Sequence, residues 1–307
     1  MSLRLVSLRL ALSLLALLLT VGVAQAADVQ PAAQVVPVPV TMPGGQPVPA
    51  GQTATVTDFS TPTDALISAL KKSWLQAANG EAVLELVFPP SGTPLRRASA
   101  LPRLAAVPAL IRHNFSVAVS QDTVANRPAL RYTLTPTNPQ AARWTLWVDG
   151  RWNVLLAYQE RMPGGALARR AELTSVEPKL TRLASEAAPQ TVRPALKKAL
   201  LSALPGLKLP AGFEPLSVQR RTGAEGNAAT EVLLSDGLNV LALVVSPRAV
   251  RAASGVAVRR LGGQSVWLVG DLPQSVLEDT LGGVVRLNSQ VVESLPGTFG
   301  PATASDQ

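Results

Sequence analysis

The chain of 307 residues contains no cysteine. This excludes thiol nucleophiles, disulfides, cysteine-ligated zinc or iron–sulfur sites and a lipid-modified cysteine at a processing site. It contains one histidine, His113, so a His-rich metal cluster is excluded and a Ser-His-acid triad would have to pass through that residue. His113 sits between Arg112 and Asn114 just ahead of a predicted strand, with no GxSxG, SxxK or paired-histidine pattern beside it. No catalytic residue, metal site or cofactor is therefore assigned, and the chain reads as a non-enzyme. Aromatics are only 4% of the chain while hydrophobic residues are 47%, so the core must be aliphatic and bulk disorder is excluded. The carboxylates are scattered. Asp149 and Asp236 each precede a glycine, where an Asp side chain caps a turn, and neither a glycosidase pair nor a calcium loop is present. Gly262-Gly263 and Gly282-Gly283 lack phosphate-loop spacing.

Long apolar runs are confined to the start of the chain. Residues 1–26 carry Arg4 and Arg9, an apolar run from Leu10 to Val23, and Ala24-Gln25-Ala26. A basic start, a short apolar run and a small-x-small ending describe a secretory signal cleaved near Ala26; a membrane anchor would need roughly 20 apolar residues. The expectation is a periplasmic or otherwise exported soluble protein. The formal net charge is +8, of which Arg4 and Arg9 contribute two. Arginine outnumbers lysine, which suits bidentate contact with carboxylates or phosphates. An exported protein has little access to nucleic acid, so the acidic partners to expect are an anionic lipid surface or an acidic protein segment.

Residues 27–57 are rich in Pro, Gly, Gln and Val and nearly free of charge, the composition of an extended linker. Folding is expected from residue 58. Ser60-Thr61-Pro62 offers a cap and a first-turn proline for a helix running through Asn79, with Gly80 as its stop. A strand at 81–88 follows, then a short helix near 104–111, then strands at 115–119, 129–134, 143–148, 153–158 and 168–176, with Asp149-Gly150-Arg151 as a hairpin corner. Consecutive strands with turn residues between them predict an antiparallel sheet. Residues 179–206 read as a helical connector interrupted by Pro189 and Pro194. A second unit, 207–290, is predicted to hold strands at 215–221, 230–234, 240–245, 256–260 and 266–269, a Ser235-Asp236-Gly237 turn and a closing helix at 273–281; residues 291–307 read as a flexible tail. The fold class is α+β.

Two stretches resemble the MucB/RseB family of periplasmic sigma-factor regulators. In the first half the order runs Arg112-His113-Asn114-Phe115, Asn126-Arg127-Pro128, Leu134-Thr135-Pro136, Trp144-Thr145-Leu146-Trp147-Val148-Asp149 and then residues 171–178. In the second half it runs Leu209 to Phe213, Gln219-Arg220-Arg221, Leu234 to Leu238, and Val269 to Pro273 leading into a helix. The likeness covers about residues 103–178 and 207–286. It implies a LolA-like antiparallel half-barrel with a helix over residues 58–178, followed by the family's smaller C-terminal sheet domain closed by a helix. The short region between Phe88 and Leu104, the proline-rich linker and the insertion at 224–229 depart from the family, and the first of these implies a reduced half-barrel with a smaller cavity.

The resemblance also implies a function. Such a protein binds the periplasmic part of a membrane-spanning anti-sigma factor, shields it from proteolysis and responds to lipid or lipoprotein signals in envelope stress. An apolar concavity lined by Leu84, Leu86, Phe88, Trp144 and Leu146 is the expected lipid site. The doublets Arg220-Arg221 and Arg259-Arg260 are the expected docking points for an acidic partner. The competing readings are core packing for the apolar set and solvated strand faces for the arginines. The alternative at the level of function is a periplasmic lipid- or lipoprotein-binding carrier without a transcriptional role.

Overall fold

A computed structural model describes residues 61–88, 95–183, 191–222 and 228–300. The signal segment, the linker, Pro89-Pro90 and most of the 224–229 insertion lie outside the described residues. Helix α1, Pro62–Leu75, starts where its sequence says it should. Thr61 is the N-cap, its hydroxyl accepting from the Asp64 amide at 3.1 Å, and Pro62 fills the first helical position. The helix buries Leu66, Ile67, Ala69 and Leu70.

The helix ends at Leu75, earlier than its periodicity predicts, because strand β1, Gln76–Leu86, takes over. Local helix preference across Gln76–Asn79 loses to three strand partners. β1 pairs antiparallel with β2 (Leu95–Ala100), with β7 (Leu167–Leu173) and, through Gln76–Ala78, with β8 (Leu180–Arg182). Gly80 is therefore inside a strand, not a helix stop. A Cβ there would overlap the Ser175 carbonyl, so the bare backbone is what lets the chain after β7 lie against it. Between β2 and β7 run helix α2, Pro108–Asn114, and strands β3 (Phe115–Val124), β4 (Arg127–Pro136), β5 (Arg143–Asp149) and β6 (Leu155–Arg161). The order β2-β1-β7-β6-β5-β4-β3, with β8 beside β1, makes an antiparallel sheet of eight strands among the described residues. The short region after Phe88 thus still supplies an edge strand, β2.

The second sheet has the order β12-β13-β11-β10-β9, antiparallel throughout, from β9 (Glu214–Thr222), β10 (Ala228–Ser235), β11 (Val240–Ser246), β12 (Val256–Leu261) and β13 (Gln264–Val269). Among the described residues three helices cover one face: α3 (Pro194–Ala203), α4 (Gln274–Gly282) and α5 (Ser289–Phe299). The segment read as a connector supplies Leu196, Leu200 and Ala203 to this core, beside Leu277 and Leu281 of α4 and Leu243 and Leu268 of the strands. The expected tail is also corrected through residue 299. Asn288 caps α5 by accepting from the Val291 amide at 3.3 Å, and Val292 and Leu295 are buried against the sheet. A polar composition hid an apolar pair at helical spacing. The whole is α+β with two antiparallel sheets.

Candidate functional site

The inner face of the first sheet is built by strict alternation. The register places Leu84, Ala171, Tyr158, Leu146 and Tyr132 in one cross-strand row, and Leu86, Arg169, Glu160, Trp144 and Leu134 in the next. All ten therefore point the same way. Leu66 and Leu70 of α1, Ile111 of α2 and Leu238 from the other sheet pack onto them. Trp144 and Leu146 are accordingly fully buried, Leu84 packs on the edge of this core, and Leu86 is half-buried. Phe88 lies away from the row, its ring against Gly255 of the second sheet. The structure thus places Trp144 and Leu146 in packed core and does not gather the five residues around one open concavity. Beside α1 a cavity of about 30 Å³, lined in part by Leu70, Trp74, Leu101, Leu104 and Leu155, has room for about one water molecule.

The arginine doublets divide in the same way, because neighbours along a strand face opposite sides of the sheet. Arg220 lies opposite Thr230 and Arg259 opposite Val266, on the face covered by the helices. Arg220 is exposed and borders a cavity of about 200 Å³ with Thr230, Val245, Gln264, Val292 and Glu293. Arg221 points the other way and holds Glu231, whose side chain has no exposure, through Nε at 2.8 Å and Nη2 at 3.1 Å; Gln219 donates to the same carboxylate at 2.6 Å. Arg221 is thus a partner inside the protein. Arg260 is exposed and Arg259 half-buried.

Where the two sheets meet, the structure gathers residues that the sequence reading did not connect. The tip of the β10–β11 hairpin, Ser235 to Asn239, is buried against the first sheet. Gly237 (φ +126°) is the turn residue. A Cβ on it would lie 2.8 Å from the Ile111 amide nitrogen, and its carbonyl accepts from the Val107 amide at 2.9 Å. Leu238 enters the first core. Asn239 accepts from Trp144 Nε1 at 2.7 Å and donates to the Ala142 carbonyl at 3.2 Å. Asn114 donates to the carbonyls of Gly212 and Asp236 at 2.9 and 2.8 Å. As expected of a turn Asp, Asp236 accepts from the Leu238 and Asn239 amides at 3.1 and 2.9 Å. Burial pushes its carboxyl up to about 6, against the opposing pull of Asn239 and the two amides.

Beside this tip the guanidinium of Arg169 pairs with Glu160 and lies over the Trp144 ring, 4.8 Å from its centroid. Asp271, just after β13, faces Glu160 from the second sheet; burial first, and then the Glu160 charge, hold its carboxyl well above the usual carboxylate range. Arg169 and Glu160 carry a signal that sequence reasoning passed over. Each falls in phase with the apolar residues of its strand, at Ala171 and Tyr158, so opposite charges on adjoining strands point inward together. His113, by contrast, is exposed in the last turn of α2. Among the described residues no group of three His, Cys, Asp or Glu side chains could hold a metal ion, and no helix is long and apolar enough to cross a membrane.

No protein-family model and no curated protein matches the chain. Solved structures do. The crystal structure of MucB shares 17% identity and a TM-score of 0.49 over 74% of this chain and 98% of that one. The crystal structure of MucB in complex with MucA(peri) gives 17% identity and 0.49 over 72% and 98%. The complex of Pseudomonas aeruginosa MucA/MucB gives the same identity and score over 73% and 98%. The likeness is one of fold.

Proposed function

We propose that this chain is an exported regulator of an alternative sigma factor, which acts without chemistry by binding the periplasmic part of a membrane-spanning anti-sigma factor. The ordered sequence blocks carry the family reading. The observation that favours a protein partner over a lipid cargo is the contrast between a filled interior and free sheet edges. The inner face that would hold an acyl chain is occupied by α1, α2 and Leu238, whereas β9 pairs with one strand only among the described residues, and β12 likewise beyond Val256, whose backbone is bonded to Ala253. Each of these edge strands carries an exposed arginine, Arg220 and Arg260. An unpaired edge offers main-chain donors and acceptors to an extended peptide, and a flanking guanidinium selects an acidic one.

The test is binding of the anti-sigma factor's periplasmic segment, followed by calorimetry across a salt series. Arg220→Glu and Arg260→Glu are expected to weaken binding by tenfold or more and to flatten its salt dependence, since opposed charges govern both. Equal affinity of wild type and both variants at every salt concentration would remove the edge reading. Delipidation followed by mass spectrometry addresses lipid sensing separately. Stoichiometric acyl lipid on the purified protein would restore the carrier reading and would require α1 to lift from the sheet.

A further inference from the structure

The junction between the sheets contains more acid than base. Glu160 and Tyr158 face it from β6, Arg169 from β7, Asp236 from the β10–β11 turn and Asp271 from the segment after β13, with the Trp144 ring of β5 beneath the guanidinium. Glu160, Asp236 and Asp271 are each less than a tenth exposed. Arg169 is committed to Glu160. Asp236 is saturated by two backbone amides and the Asn239 side chain. Oδ2 of Asp271 is buried without a hydrogen-bond partner, and the carboxyl lies beside Glu160, an acceptor when ionised. Two buried carboxylates face to face repel, and a proton held between them removes that repulsion. With that proton the pair becomes one O–H···O bond linking the second sheet to the first, and the Glu160 charge is balanced by Arg169.

We propose that this junction is a proton-dependent latch, in which Asp271 keeps its proton and donates it to Glu160, and in which loss of that proton to solvent loosens the second sheet from the first. The deprotonated state leaves Asp271 and Glu160 as two buried carboxylates against one guanidinium. Separation, which lets water in, is the relief open to it. Burial and the Glu160 charge both favour the neutral acid in the closed form, so closing takes up a proton and rising pH opposes it.

The chain has no cysteine, so paired spin labels can be placed without background. Ser120→Cys on β3 and Ser202→Cys on α3 are exposed positions on the two units. Pulsed electron–electron distance measurements on the doubly labelled protein at pH 5 should give one narrow distribution, with a second population at longer distance gained by pH 9. Asp271→Asn, which keeps a donor toward Glu160 but cannot ionise, should hold the narrow distribution at both pH values. An unchanged wild-type distribution from pH 5 to 9 would overturn the latch. So would an Asp271→Asn protein that shifts as the wild type does, or a response abolished by Asp236→Asn and kept by Asp271→Asn. If Asp271→Asn lacks native near-UV circular dichroism, the wild-type and Asp236→Asn series decide the matter alone.

Discussion

The two sheets solve the same burial problem differently. The five-stranded sheet is covered by three helices of its own, and its core is filled almost entirely by residues from its own strands and helices. Among the described residues the inner face of the larger sheet is covered by α1, α2 and the segment of Leu104 and Ala106, and Leu238 from the other unit, with no exposure at all, completes the cover. The number of strands is therefore a poor guide to which unit is self-sufficient. The larger one borrows part of its core and anchors its Trp144 to the lender's Asn239.

The sharpest way to break that comparison is to remove what is lent. Leu238→Ala should cost about 2–5 kcal/mol, the usual range for a buried leucine. The loss should fall on the first unit, which holds Trp74, Trp144, Trp147 and Trp152, before the second, which holds Trp267. Denaturant titrations in two backgrounds that both keep Trp144, one with Trp267 and one with Trp267→Phe, separate the fluorescence of the two units and should show two midpoints; a single shared midpoint would mean the units are one cooperative block. A loss of similar size inside the self-sufficient unit should come from Arg221→Ala, which leaves Glu231 buried without its counter-charge, at about 3–5 kcal/mol. There the Trp267 reporter should move first.

Smaller effects sharpen the same picture. Trp144→Phe keeps most of the ring but leaves the Asn239 side-chain oxygen Oδ1 without the Trp144 donor, and should cost about 1–3 kcal/mol by equilibrium denaturation. The junction should also make stability pH-dependent. The Asp236 carboxyl is raised from 3.8 to about 6 by burial, so over that interval the native state binds more protons than the unfolded chain. Its contribution is fully present below about pH 4, falls as pH rises to about 6 and is constant above. The change is on the order of 2–3 kcal/mol at about 1.4 kcal/mol per unit, and should appear as a difference in pH slope between wild type and Asp236→Asn. At the bottom of the scale is the exposed pair Arg97–Glu81 on the first sheet. Glu81→Gln should shift stability by less than about 1 kcal/mol.

Several of these features were legible along the chain. The α1 start was legible because Thr61, Pro62 and Asp64 act within a single turn, and the Asp149 and Asp236 turns because each side chain reaches amides two or three residues away. The alternation of Trp144, Leu146 and Val148 also held, all three being buried. What failed were inferences that depended on distant partners. The helix expected through Asn79 yields to strand because β2, β7 and β8 wait beside it. Trp144 and Leu146, apolar and inward as read, meet α1, α2 and Leu238 where an open cavity was expected. The arginine doublets were read as units, although strand geometry alone puts their members on opposite faces.

The sequence by itself determined the α+β class, the two strand-rich halves, the aliphatic character of the core and the turn residues, because these follow from composition and from periods and caps spanning a few positions. Only the tertiary structure decided which apolar residues are covered, that Arg221 serves Glu231, and that Glu160, Arg169, Asp236 and Asp271 share one buried junction. The Arg221–Glu231 pair depends on the register of β9 against β10, whereas Asp271 and Glu160 are brought together across more than a hundred residues of chain, and no local pattern encodes their meeting.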